Sequence, residues 1–175
     1  VLEPRTTQPK TIAKFNAGMV LDGEVVHMLF RYAEWRKEFD PECMSCYSKD
    51  EIRYARLTPQ GKLVYESPLP LLAPSLPGDT SGCQDPRIVP LDGWYYITYC
   101  GWDKDSVPAG QDKATLAFAR TRDFLTAEKL GVIRHYTWDK DHFLFPGRIN
   151  GKVALVHRIM PNIQIDYFDS VEAML

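Results

Sequence analysis

Apolar and polar positions alternate along this chain in short runs, and the runs break at Asx-Gly dipeptides. Residues 15–21 lead to Asp22-Gly23 and then to 24–31; residues 85–91 lead to Asp92-Gly93 and then to 94–100. Residues 145–149 lead to Asn150-Gly151 and then to 152–158. Period-two alternation marks a half-buried strand, and Asn-Gly or Asp-Gly between two such runs predicts a tight hairpin. A further strand is predicted after each hairpin, at 52–57, 115–120 and 163–168, with a fourth in the first unit at 62–66 behind the Pro59-Gln60-Gly61 turn. The turn glycines Gly23, Gly93 and Gly151 recur at intervals of 70 and 58 residues. Antiparallel units at such a period predict an all-β fold of β-propeller type, whose blades usually have four strands. A sandwich of hairpins explains the recurrence less well. Residues 1–11 read as an irregular lead-in, and the only short helix candidates are 125–130 and 170–175.

Propellers close with about four blades or more. The chain holds two blades and most of a third, at roughly 12–80, 81–140 and 141–175. The expectation is one propeller domain whose ring is completed by residues after Leu175. Composition changes little in this picture. Apolar residues are 45% and charged ones 25% of the 175, ordinary for a globular chain. A net charge of -2 and a pI near 6.1 give no reason to expect nucleic acid or an anionic membrane as partner. No apolar run approaches the roughly 18 residues of a membrane span. No secretory signal is recognisable, so a cytoplasmic location is expected, with export left open. The aromatic share of 12% suits β-structure and sugar stacking equally.

Metal and redox chemistry are not expected. Cys43 and Cys46 have the two-residue spacing of a zinc or redox pair, but Cys83 and Cys100 do not form the second pair a zinc site needs. Reduced, partly buried thiols fit better.

The stretch richest in chemistry is residues 82–87, Gly-Cys-Gln-Asp-Pro-Arg. Pro86 lacks a backbone donor and is expected at a strand start or edge, and it biases Asp85 towards extended geometry. Strand alternation then sets Asp85 and Arg87 on one side. The pair suits an acid aimed into a cavity and, equally, a structural pair closing a turn. Arg31 ends an apolar strand, where a charge needs a partner. Lys140 lies between Asp139 and Asp141, as in a solvated turn. His157 and Arg158 are neighbours on a strand and face opposite ways, which leaves His157 as a packing group. Trp102 and Tyr32 could stack on sugars, and Asp103, Asp105, Asp139 and Asp141 read mostly as loop carboxylates.

The run from Gly82 to Ile88, with Gly93-Trp94-Tyr95-Tyr96 behind it, resembles glycoside hydrolase family 130, the β-mannoside phosphorylases and related mannosidases. So do Asp139-Lys140-Asp141-His142-Phe143, Asn150-Gly151-Lys152, His157-Arg158, Asn16, Phe30-Arg31 and Ala117-Phe118-Ala119-Arg120, in family order. The resemblance implies a five-bladed β-propeller with its site at the central axis, of which this chain carries about the first three blades. It implies that Asp85 is the proton donor, and that Arg31, Lys140 and Arg158 hold inorganic phosphate. Asn16, Arg87, Trp102 and Asp141 are the positions expected to meet the sugar. Gln84 departs from the Glu of most members, which removes a charge beside the donor.

The implied activity is phosphorolysis of a β-mannoside, a β-1,4-mannosyl-glucose, a manno-oligosaccharide or a mannosyl-N-acetylglucosamine. It proceeds with inversion to α-mannose 1-phosphate, with phosphate as co-substrate and no cofactor. An inverting hydrolase needs an acid and a base; a phosphorylase needs the acid and a set of cations for its anionic nucleophile. A β-mannosidase of the same family and a non-catalytic carbohydrate-binding propeller or inactive fragment are the competing readings. An oligosaccharide is the expected partner, and a homo-oligomer is left open.

Overall fold

The computed structural model describes residues 6–7, 10–40, 45–75, 77–103, 113–133, 139–159 and 161–175. Among them there is no helix; the chain is a succession of strands in three antiparallel units. The first contains β1 (Thr6–Thr7), β2 (Lys10–Asp22), β3 (Val25–Asp40), β4 (Ser45–Leu57) and β5 (Leu63–Leu72). The second contains β6 (Gly82–Leu91), β7 (Trp94–Trp102), β8 (Ala114–Thr121) and β9 (Glu128–Ile133). The third contains β10 (Asp139–Leu144), β11 (Val153–Ile159) and β12 (Asn162–Phe168). The first two units meet where β4 and β6 run parallel, at Asp50 and Gly82.

Each hairpin turns where the Asx-Gly dipeptides lie. Asp92 and Gly93 have φ of 50° and 77°, and Asn150 and Gly151 have 49° and 77°, the left-handed pair that such a turn demands. Three expectations are corrected. Residues 145–149 are not the inner strand of the third unit; that strand is β10, so the boundary drawn at residue 140 falls inside it. Residues 125–130 enter β9 instead of a helix, because pairing with β8 satisfies their backbone. Residues 170–175 are bends and turns.

The units stack face to face. Leu29, Ile52 and Tyr54 of the first pack with Ile88, Ile97 and Tyr99 of the second in one buried cluster. Val89, Tyr96 and Phe118 of the second join Leu144, Val153 and Leu155 of the third in another. Because successive strand residues face opposite ways, Met28, Phe30, Ala55 and Leu57 form a cluster on the far side of the first unit.

The feature that positions the site is repeated in all three units. Between the pairs Phe15–Arg31 and Gly18–Leu29, β2 carries one residue more than β3. The same bulge lies in β6, between Gln84–Cys100 and Arg87–Thr98. It recurs in β10, between Lys140–Arg158 and Phe143–Val156. The first bulged residue is an Asx with left-handed backbone each time: Asn16 at 50°, Asp85 at 54° and Asp141 at 61°. Asn and Asp tolerate this conformation better than other side chains, and a bulge re-aims the side chain it carries. Phe30, Tyr99 and His157, which oppose the three bulges, are each 1% exposed or less. Asp85 is therefore not extended, and Pro86 sits within a strand, at a bulge where its missing donor breaks no ladder bond.

Candidate active site

The β6 bulge places the Asp85 carboxylate, 8% exposed, where side chains of the first and third units meet it. Asn16 of β2 donates from Nδ2 to Oδ1 at 2.8 Å. Lys140 of β10 brings Nζ to 3.1 Å from Oδ2, and Arg31 of β3 brings Nη1 to 3.5 Å from Oδ1. Burial alone raises the Asp85 carboxyl; the Lys140 charge, the Asn16 amide and Arg31 outweigh it, so the group lies below its ordinary value of 3.8. Asp85 is a carboxylate at neutral pH in this arrangement.

Arg31 is held from behind. Its Nε and Nη2 donate to the two oxygens of Asp50 at 2.8 and 2.7 Å, a bidentate fork between two buried groups. Gln84 Nε2 donates to the same Asp50 Oδ2 at 2.8 Å. The Arg31 guanidinium also lies over the Phe15 ring, 4.8 Å from its centroid. Sequence reasoning missed Asp50 altogether. The signal was its place on a strand beside the Arg31-bearing one, but its second partner, Gln84, only becomes visible with the β4–β6 contact.

Arg158, the third expected cation, does not touch Asp85. It is paired across the ladder with Lys140, and its Nη2 lies 2.8 Å from Asp141 Oδ2 on the neighbouring bulge. Arg87 turns to the bulge backbone, donating from Nη1 to the Pro86 carbonyl at 2.9 Å and more weakly to that of Asp85 at 3.4 Å. It thereby braces the main chain that carries the acid. Trp102 ends β7 opposite Gly82, with its indole nitrogen buried and without a hydrogen-bond partner among the described residues. Tyr32 has the Arg53 guanidinium over its ring, 3.5 Å from the centroid.

Two of the carboxylates read as loop residues are held by the fold, Asp103 in the loop after β7 and Asp139 at the start of β10. Asp103, fully buried, accepts from the Gly78 amide at 2.8 Å and the Thr80 hydroxyl at 2.7 Å. Asp139 accepts from the Arg158 amide and meets His157 Nδ1 at 2.7 Å, while His157 Nε2 is 3.1 Å from Asp166 on β12. Those contacts fix the start of β10 immediately before Lys140. Asp105 and Cys43 lie outside the described residues, as does the side chain of Cys46. Cys83 and Cys100 are buried free thiols; burial pushes Cys100 up to about 12, so it stays neutral. Among the described residues no group of three or more His, Cys, Asp and Glu side chains is arranged to hold a metal ion.

Antiparallel units of this kind stacked face to face, with polar residues of each inner strand meeting at one end, define a β-propeller. The chain belongs to glycoside hydrolase family 130: the family model, described as beta-1,4-mannooligosaccharide phosphorylase, matches residues 3–173. A 1,2-beta-oligomannan phosphorylase of Thermoanaerobacter sp. (strain X514) is 29% identical over 166 residues, covering 91% of this chain and 51% of its own length. A beta-1,2-mannobiose phosphorylase of the same organism is 29% identical over 161 residues, covering 87% and 49%. In structure the chain is similar to the beta-1,2-mannobiose phosphorylase of Listeria innocua in complex with beta-1,2-mannobiose. There the TM-score is 0.75 and the identity 20%, over 96% of this chain and 59% of that one. The fold is thus that of the family's five-bladed propellers, and the chain spans about half the length of the curated relatives it matches.

Proposed function

We propose that this chain carries the acid and the anion-binding half of a β-mannoside phosphorylase site. The observation that supports this reading is that Lys140 and Arg31 converge on Asp85 from units on either side of it. In this reading Asp85 gives its proton towards the glycosidic oxygen by way of a sugar hydroxyl. Phosphate, held by Lys140 and Arg31 with Arg158 beyond them, attacks the anomeric carbon from the opposite face. The carbon–oxygen bond to the leaving sugar breaks as the bond to phosphate forms, and the β-mannoside becomes α-mannose 1-phosphate. Asn16, which touches the acid, and Asp141, next to Lys140 on β10, are assigned to sugar hydroxyls. Arg87 acts on the bulge backbone, and Trp102 supplies an apolar wall. The chemistry draws on phosphate and the chain's own side chains, with no cofactor.

The curated relatives are named for β-1,2-linked substrates and the family model for β-1,4-linked ones. We take β-1,2 as the linkage, since both curated relatives, each 29% identical, are named for it. The test is phosphate-dependent release of mannose 1-phosphate by the full-length protein from β-1,2- and β-1,4-mannobiose in parallel. Asp85→Asn is expected to lower the rate about 10²–10⁴-fold. An unimpaired Asn variant removes Asp85 from the mechanism, and equal sugar release without phosphate makes the protein a hydrolase.

A further inference from the structure

Three of the cations around Asp85 already face a carboxylate. Arg31 is matched by Asp50, Arg158 by Asp141, and Lys140 by Asp85. Cys100 of β7, which stands opposite Gln84, is a neutral thiol. Arg87 on the acid's own strand is turned to main-chain carbonyls. A doubly charged anion entering this set finds the cations it needs already facing a carboxylate. Among the three carboxylates Asp85 is the exchangeable one. Asp50 is locked by an Arg fork and an amide, and Asp141 is paired with Arg158 at 2.8 Å, whereas Asp85 is met by two cations at 3.1 and 3.5 Å from separate units.

We propose that the Asp85 carboxylate and inorganic phosphate compete for one set of donors, Lys140, Arg31 and the Asn16 amide, so that phosphate settles in the site only as Asp85 takes up a proton from solution. The proposal rests on the phosphorylase reading above and adds an order to it. Without phosphate, Asp85 is an internal anion and has no proton to give. Phosphate draws Lys140 and Arg31 towards itself and sets negative charge beside the carboxylate, and both changes favour the neutral acid. The carboxyl then holds the proton that passes to the leaving oxygen. When sugar phosphate departs, the carboxylate returns to Lys140. The nucleophile thereby brings the acid into its working form, and a site without phosphate is disarmed towards water as well.

The experiment is calorimetric titration of the full-length protein with sulfate and with phosphate, in two buffers of different protonation heat. Sulfate is tetrahedral and doubly charged yet does not titrate near neutrality, so protons taken up with it belong to the protein. Wild type is expected to take up a proton with sulfate, and its affinity is expected to fall about tenfold per pH unit near neutrality. Asp85→Asn is expected to bind both anions at least about tenfold more tightly at pH 7.5, with no uptake and little pH dependence on sulfate. Sulfate binding to wild type without uptake, or uptake that persists in Asp85→Asn, overturns the proposal and leaves phosphate binding standing. Failure of the wild type to bind either anion overturns both. The wild-type arm decides the matter even if the variant is poorly folded.

Discussion

Asp50 takes both arms of one Arg31 fork, and that grip decides where the rest of the guanidinium points. Removing one partner of a buried ion pair strands the other charge, at about 3–5 kcal/mol. Asp50→Ala is therefore expected to lower the melting temperature markedly and to raise KM for phosphate, because Arg31 then swings onto Asp85. Thermal melts and phosphate titrations of turnover check this; an unchanged KM removes Asp50 from the anion site. Asp85, Arg31 and Lys140 were legible in the sequence because motifs carry them. Asp50 and the function of Gln84 were not. Gln84 and Asp50 lie 34 residues apart and meet across two blades. Read alone, Gln84 was only a missing charge. In the fold its amide is a donor to a buried carboxylate, where Glu would press acid against acid.

At the scale of elements, β2 lies directly against the β6 bulge at Gly18. A Cβ on Gly18 would stand 2.5 Å from the Pro86 carbonyl oxygen and 3.0 Å from Arg87 Cα, both main chain and unable to step aside. Gly18→Ala is expected to cost about 1–3 kcal/mol as overpacking does. It should also reduce kcat, because the displaced segment begins at Asp85. Wild-type melting and turnover in that variant would show that the two strands are not in contact. The hairpins were readable because their turns require residues that accept left-handed backbone. The bulges were hidden by the same alternation that revealed the strands, since one extra residue shifts the pattern without a turn signal, and Pro86 argued for extended geometry. The segment before β9 misled for another reason. Asp123 accepts from the amides of Leu125 and Thr126, as a residue capping a helix does, yet the chain leaves that turn into a strand.

At the scale of the molecule, stability lies between the blades. Phe124, buried on the turn before β9, stacks on His27 at 4.3 Å and on Tyr54 at 5.3 Å, while His27 Nδ1 meets the Tyr54 hydroxyl at 2.7 Å. Burial holds the His27 imidazole below its ordinary 6.5 against the nearby Asp22 charge. The unfolded chain then binds this proton first. The His27 contribution is complete above about pH 6.5 and is lost as pH falls through the lower folded value. Melting temperature is expected to decline on acidification from near neutrality, and His27→Gln to flatten that decline; an unaltered slope assigns it elsewhere. The Asp85 contribution, with its carboxyl lowered, is lost only below 3.8. The blade count was legible from the spacing of the turns. The faces left bare were not, because Met19 and Leu21 on β2 and Ile163, Ile165 and Tyr167 on β12 read as ordinary strand residues until the stacking order is known. Asn16, Asp85 and Asp141 stand on backbone of one shape, and that shape asks only for a side chain at ease in it, a condition Asn and Asp meet alike. An amino group exchanged with an oxygen at Asn16 or Asp141 rewrites the chemistry beside Asp85 and leaves the scaffold as it was. Substrate preference in such a ring is thus free to drift by single-atom exchanges, with no loop rebuilt.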